Sequence, residues 1–224
     1  MRVLIVASSE RELLGLSRFS SNGEAFLNQL LPCGRGEIVG TSVGVGLVQA
    51  TLGTVSSILK WRPDHVLCFG TGGAVRDDLD IGDLVCAEEV VQYTLDLQAF
   101  GLRRGESFGP QQGAVVGAIK PMLRIPPLDG IRQVDGVVGS ADLFALRSWR
   151  DANPWLSEEL HVVLTDMESY AMASACRQYC LPCRIGRVVS DTALGRRPKR
   201  YDRFLSETVA GILFSILESM KDTF

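Results

Sequence analysis

Short apolar runs that stop on polar or glycine-rich tips alternate along this chain with segments of helical spacing. Arg2 to Ala7 predicts a first strand, stopped by Ser8-Ser9-Glu10-Arg11-Glu12. Ser8 or Ser9 can cap a helix whose first turn holds Glu10 and Glu12, with Leu13, Leu14 and Leu16 on its apolar face. Glu37 to Val43 predicts a second strand, and after Gly44-Val45-Gly46 the spacing from Leu47 to Leu59 is helical. His65 to Phe69 predicts a strand running into the cluster Gly70-Thr71-Gly72-Gly73-Ala74. Leu84 to Leu97 is strand-like and leads into the loop Leu97-Gln98-Ala99-Phe100-Gly101. Gln111 to Leu128 has a weaker pattern, with room for a strand and a short helix. Gly136 to Phe144 predicts a strand with a polar-plus-aromatic tip, and Arg147 to Leu160 a helix and connection. Arg203 to Lys221 predicts a closing amphipathic helix, with Phe204, Leu205, Val209, Ile212, Leu213, Ile216 and Leu217 inward.

The most organised stretch lies between Leu160 and Ala193. A β-branched run ends on Thr165-Asp166, a small-residue helical segment spans Ser169 to Cys180, and a second apolar run from Cys183 ends on Ser190-Asp191. Strand, helix, strand predicts a right-handed crossover with parallel strands. Their carboxyl ends, with Glu168 and Asp191, are then expected at one edge of the sheet, where open α/β sheets bind ligands. Asp166 fits a helix cap beside them.

The chain has 224 residues with no linker, repeat or low-complexity segment, which fits one α/β domain over 1–224. A net charge of −3 offers no electrostatic footprint for nucleic acid or a membrane surface. The N-terminal apolar run is too short for a signal sequence, and no run approaches the ~18 apolar residues of a spanning helix. A cytoplasmic location is expected. The six cysteines lie mostly within apolar runs; Cys180 and Cys183 have metal or redox spacing but lack a second ligand pair, so no metal is expected. The two histidines sit at the starts of strands and suit structural roles rather than a Ser-His-Asp triad.

Taken together, Glu12, Gly70-Thr71-Gly72-Gly73, Ser140-Ala141-Asp142-Leu143-Phe144, Asp166-Met167-Glu168 and Ser190-Asp191 resemble the 5′-methylthioadenosine/S-adenosylhomocysteine nucleosidases of the purine nucleoside phosphorylase superfamily. The resemblance runs from Met1 to about Leu217 and is weakest from Gln111 to Arg132. It implies a three-layer αβα sandwich around a mixed, mostly parallel central sheet, and no cofactor. It implies that Glu12 activates the hydrolytic water, with Arg187 and Thr71 near it. Asp191, beside Ser190, would protonate purine N7, and Glu168, after Met167, would hold the ribose hydroxyls. Phe144 would stack on the purine, and the Ala145 backbone would read its edge. Ser9 and Tyr201 fall beside the 5′ substituent, and Gly72 with Thr71 in the glycine cluster. Leu97 and Phe100 match a loop that enters a partner subunit's site, which implies a homodimer.

The chemistry suits these residue types. An N-ribosidic bond breaks through an oxocarbenium-like state, as in other glycosidases that use two carboxyl groups. The base must leave protonated, and the water must be aimed. Asp191 has to keep its proton until transfer, which asks for burial or neighbouring negative charge.

The sequence departs from the family pattern at Ser9, where a methionine is usual, at Thr71-Gly72, where Ser-Ala is common, and in the basic loop Arg196 to Arg200. That loop is either a solvated charge run or a means of drawing an anionic 5′ tail, such as homocysteine or the benzoate of aminofutalosine. Phosphorylases of the superfamily need cations for phosphate. This chain has Cys68 where one branch has arginine, and Glu12 where a phosphate element would stand, so hydrolysis is preferred. A futalosine hydrolase, releasing hypoxanthine, would carry Asn in place of Asp191. A silent nucleoside-binding sensor would be expected to have lost one of the acids.

Overall fold

The computed structural model of the protein describes residues 1–21, 26–108 and 124–223. Among them, eight strands form one mixed sheet: β1 (Arg2–Ala7), β2 (Leu31–Cys33), β3 (Gly36–Ser42), β4 (His65–Ala74), β5 (Leu84–Gln92), β6 (Gln133–Ser140), β7 (Val162–Asp166) and β8 (Cys183–Asp191). Their order is β2-β3-β1-β4-β7-β6-β5-β8, and β4 also pairs with β8.

That extra pairing closes the sheet into a barrel-like ring, and the length of β4 explains it. His65 to Cys68 pair with β1, while Val66 to Gly73 pair with β8 along the opposite edge. Once β1 has ended, Gly73 and Ala74 pair with β7 on the edge it vacated. The α/β class and mixed sheet agree with the sequence. The flat central layer expected between two helical layers does not describe the closed half.

The strands β1 and β4 are buried on both faces, so they read as nearly continuous apolar runs. Successive side chains of β1 point to opposite sides. Val3, Ile5 and Ala7 join Leu13, Phe69 and Leu213 in one core, and Leu4 and Val6 join Ala50 and Met172 in another. A 3₁₀ helix, Glu10–Phe19, and the closing helical segments cover the first core. The second is covered by α1 (Leu47–Trp61), and further along the chain lie α2 (Arg147–Asp151) and α3 (Trp155–Glu158), interrupted at Pro154, then α4 (Ser169–Gln178), which packs against α1. The closing segments are α5 (Tyr201–Arg203), a π-helical stretch Phe204–Val209 and α6 (Ala210–Met220). All seven residues read as the inward face of this closing region are buried. No helix among the described residues is long and apolar enough to cross a membrane.

Two expectations need correction. β7 and β8 are not neighbours and do not run parallel: β4 is antiparallel to β7 and parallel to β8. Their carboxyl ends nevertheless converge, because Gly73 of β4 pairs with Thr165 on one side and Asp191 on the other. The strand read over His65 to Phe69 does not stop where the glycine cluster begins; the cluster is the second half of β4. Its glycines make room for neighbouring side chains. A Cβ on Gly70 would lie 2.1 Å from Arg187 Nη1, and one on Gly72 would lie 2.4 Å from Leu164 Cδ2. The short edge strand β2, which contains Pro32, escaped the periodicity. Most of the stretch from Gln111 to Leu128 lies outside the described residues, although Ile125 and Leu128 are buried in the first core.

Candidate active site

Strand ends converge on a cavity of about 260 Å³. Just past β1, Ser8 enters its wall, and the first turn of the 3₁₀ helix brings in Glu12, which is buried. Both Glu12 oxygens are held. Oε1 accepts the Thr71 backbone N–H at 2.8 Å and the Thr71 hydroxyl at 3.1 Å. Oε2 accepts the Ser8 hydroxyl at 2.6 Å and the Ser9 backbone N–H at 3.1 Å. The helix-start and cleft readings of Glu12 are therefore both realised in one side chain. Ser9 itself does not line the cavity; its backbone N–H and, at 3.3 Å, its hydroxyl donate to Glu12 Oε2 while Ser8 faces the site.

At the end of β7, Thr165, Asp166, Met167 and Glu168 line another part of the wall. Asp166 is a structural hub, accepting the Ser140 and Ser169 hydroxyls and the backbone N–H groups of Glu168 and Ser169. Its Oδ2 also lies 2.7 Å from Arg187 Nε. Arg187, fully buried, stands behind the wall and does not line the cavity. Burial opposes its charge, but Asp166, Glu168 and Glu12 outweigh that and raise its pKa.

Glu168 stands at the N-cap of α4, and its Oε1 accepts the Gly46 backbone N–H at 3.0 Å. That bond ties the start of α1 to the cavity, where Asp142 adds a second tie by accepting the Leu47 N–H at 2.7 Å. Burial pushes the Glu168 carboxyl up to about 7; Asp166 and Glu12 add to the rise, while Arg187 and the Gly46 N–H oppose it. A carboxyl poised there loses acceptor strength on mild acidification. If Glu168 grips substrate hydroxyls, kcat/KM should fall by roughly tenfold per pH unit below about pH 7. A rise in KM should carry that fall, and Glu168→Gln should lack this limb. A KM that is flat from pH 8 to 6 would count against the role.

Beside Gly73, Asp191 ends β8, and Ser190 donates its hydroxyl to Gly72 O and to Asp191 Oδ1, each at 3.2 Å. Asp191 is buried, as the sequence asks of it, but its charged neighbour is a cation: Arg150 Nη2 lies 3.7 Å from Oδ2. Leu143, Phe144 and Ala145 follow β6 into the wall, with the Phe144 ring half exposed at the mouth. Across from it, the Tyr201 hydroxyl lies 3.2 Å from Thr71 Oγ1, which joins the closing helical region to the Glu12 network.

Of the residues singled out in the sequence, Glu12, Thr71, Gly72, Phe144, Ala145, Met167, Glu168, Ser190, Asp191 and Tyr201 line this one cavity. Leu97 and Phe100 do not. They sit at a 3₁₀ turn where Phe100 is exposed and its ring centroid lies 6.0 Å from that of Phe108. The basic loop splits in its roles. Arg196 pairs with Asp80 at 2.7 Å, while the Arg197 guanidinium lies 5.6 Å from the centroid of the Phe144 ring. Arg197 and Pro198 help line a second cavity of about 350 Å³, which shares Phe144, Ser190, Asp191 and Tyr201 with the first. Arg150 was missed altogether, because a single arginine in a short polar helix carries no sign of burial.

The profile of the phosphorylase superfamily matches residues 3–213. The 5′-methylthioadenosine/S-adenosylhomocysteine nucleosidase of Shewanella loihica is 30% identical over 175 residues, covering 75% of this chain and 74% of that protein. The one from Shewanella sediminis is 27% identical over 216 residues, covering 92% of each. Among solved structures, the Campylobacter jejuni nucleosidase of that type superposes with a TM-score of 0.82 at 22% identity, covering 100% of both chains. A native Helicobacter pylori futalosine hydrolase gives 0.76 at 23% identity, covering 98% of each chain.

Proposed function

We propose a hydrolytic role for this site from one premise: the chain belongs to the phosphorylase superfamily. The reaction is hydrolysis of the N-ribosidic bond of 5′-modified adenine nucleosides, such as methylthioadenosine and S-adenosylhomocysteine, to release adenine. Water adds to the anomeric carbon, the C1′–N9 bond breaks, and the purine leaves with a proton on N7.

One observation carries the choice of hydrolysis over phosphorolysis. Among the described residues lining the cavity that holds Glu12 there is no Arg, Lys or His, whereas Glu12, Asp166, Glu168 and Asp191 all line it. Phosphate would enter without a cation and would meet carboxylates, at a cost in repulsion. A water molecule meets an ordered acceptor instead. The roles are those the family resemblance implies, and placement supports them. Glu12, with five donors fixing its two oxygens, aims and deprotonates the water. Glu168 accepts from the ribose hydroxyls. Asp191 gives its proton to N7, and its carboxyl suits the adjacent amine of a 6-aminopurine. Phe144 offers a face to the base, and Tyr201 closes over the 5′ end.

A substrate panel read out by the free base tests this. Adenine should appear from methylthioadenosine at a rate indifferent to phosphate. Release of hypoxanthine alone, or a rate that requires phosphate, would sink it. We also propose a homodimer. Val45, Val48, Leu52 and Leu59 lie exposed on and before α1, and Phe100 and Phe108 stand exposed at the Leu97 turn. Val48, Leu52 and Leu59 recur at helical spacing on one face of α1, and an exposed apolar helix face suits an interaction surface. Light scattering should give twice the chain mass, and Leu52→Glu should shift it toward the monomer. A monomeric wild type would refute this assembly.

A further inference from the structure

Arg150 is buried where nothing in the sequence asks for an arginine. It projects from α2 to the ends of the paired strands β4 and β8. Its Nη1 donates to Ala74 O at 2.7 Å and its Nη2 to Thr192 O at 3.4 Å. Ala74 ends β4, and Thr192 follows the last residue of β8. The guanidinium therefore clips together the two strand ends that flank Gly73. The same Nη2 lies 3.7 Å from Asp191 Oδ2, while Ser190 holds Oδ1. Gly73 leaves the space for this. A Cβ there would lie 3.0 Å from Asp191 Oδ2 and 3.1 Å from both Asp191 Oδ1 and Arg150 Nη1.

A buried guanidinium is costly to desolvate, and well-packed apolar side chains often serve stability as well or better. Its presence calls for another account, and the geometry supplies one. One Asp191 oxygen is engaged by Ser190 and the other faces Arg150, so the carboxyl is restrained about its own bond. We propose, on the reading of Asp191 as the acid that meets purine N7, that Arg150 is a positioning residue for it. It fixes the direction in which the Asp191 carboxyl is presented to the leaving base, and it touches no substrate itself.

The test separates acid-dependent from acid-independent leaving groups. Methylthioadenosine needs a proton on its base; a 4-nitrophenyl 5-methylthioriboside does not, because nitrophenolate leaves unaided. Arg150→Met should lower kcat/KM for methylthioadenosine by about 10- to 100-fold, below the ~10²–10⁴-fold that acid–base help commonly supplies. The loss should fall on kcat, with KM little moved. Arg150→Lys should recover part of it, and carries the comparison if the methionine variant does not fold. On the nitrophenyl riboside both variants should stay near wild type. Asp191→Asn should show the same leaving-group selectivity, and adding Arg150→Met to it should cost little more, as for residues acting as one unit. Equal losses on both substrates, or losses that add in the double variant, would overturn the positioning role. If Asp191→Asn alone leaves methylthioadenosine turnover intact, the acid assignment fails, and the role of Arg150 falls with it.

Discussion

Glu12→Gln is expected to lower turnover of methylthioadenosine by about 10²–10⁴-fold and to destabilise the fold as well. The kinetic part follows from removing the group proposed to take the proton of water. The structural part follows from the donors around it. Each Glu12 oxygen accepts one backbone N–H, from Thr71 on Oε1 and from Ser9 on Oε2. Backbone donors cannot turn round to become acceptors. Whichever way a glutamine amide is oriented, its NH₂ must face one of them. A buried donor facing a donor leaves both unsatisfied, which costs about 1–3 kcal/mol. The Ser8 and Thr71 hydroxyls can rotate to accommodate an amide, so they do not rescue the variant but limit the damage. Adenine release and thermal unfolding, measured on the same preparation, check both parts. Turnover within about threefold of wild type would remove Glu12 from the mechanism, since acid–base help is worth far more than that.

The same residue shows what a sequence can disclose. A serine pair with an acid three or four positions on, at the end of an apolar run, marks a helix start and a strand tip at once. Both marks are local, and Glu12 carries both. Phe144, Glu168 and Asp191 are legible for the same reason, as polar or aromatic residues directly after apolar runs. Pairing is not local. Nothing in Leu160 to Val189 distinguishes a parallel crossover from two strands separated by β4. That arrangement depends on β4 outlasting β1, a matter of how far the glycine cluster can extend beside Arg187 and Leu164. Burial of polar residues is equally remote. Arg150 reads as a surface charge until Ala74, Thr192 and Asp191 are brought to it from other elements. Arg187 was placed beside Glu12 by resemblance. It does lie beside Glu12, both approaching the open face of Gly70, while its guanidinium is committed to Asp166, with the backbone of Phe69 and the Ser169 hydroxyl as further partners.

That commitment makes Arg187→Met the substitution with the largest expected effect on stability, a loss of about 3–5 kcal/mol. Methionine fills much of the volume but leaves Asp166 buried and without its cation. The carboxylate would keep the Ser140 and Ser169 hydroxyls and two backbone donors, so the hub is weakened rather than emptied. For a chain of this size each kcal/mol moves Tm by roughly 2–4 °C, so a fall on the order of 10 °C is expected. Removing the charge on the other side should return part of the loss. In Arg187→Met/Asp166→Asn the carboxylate in direct contact with the lost cation is gone as well, and a coupling of at least about 1 kcal/mol is expected between two groups in direct contact. Activity should not return with stability, because Asp166 also fixes the turn that presents Glu168 at the start of α4. Denaturant unfolding of the two single variants and the double variant measures the coupling. Additive losses would mean that Arg187 acts by filling space, and that the hub beneath Glu168 does not depend on its charge.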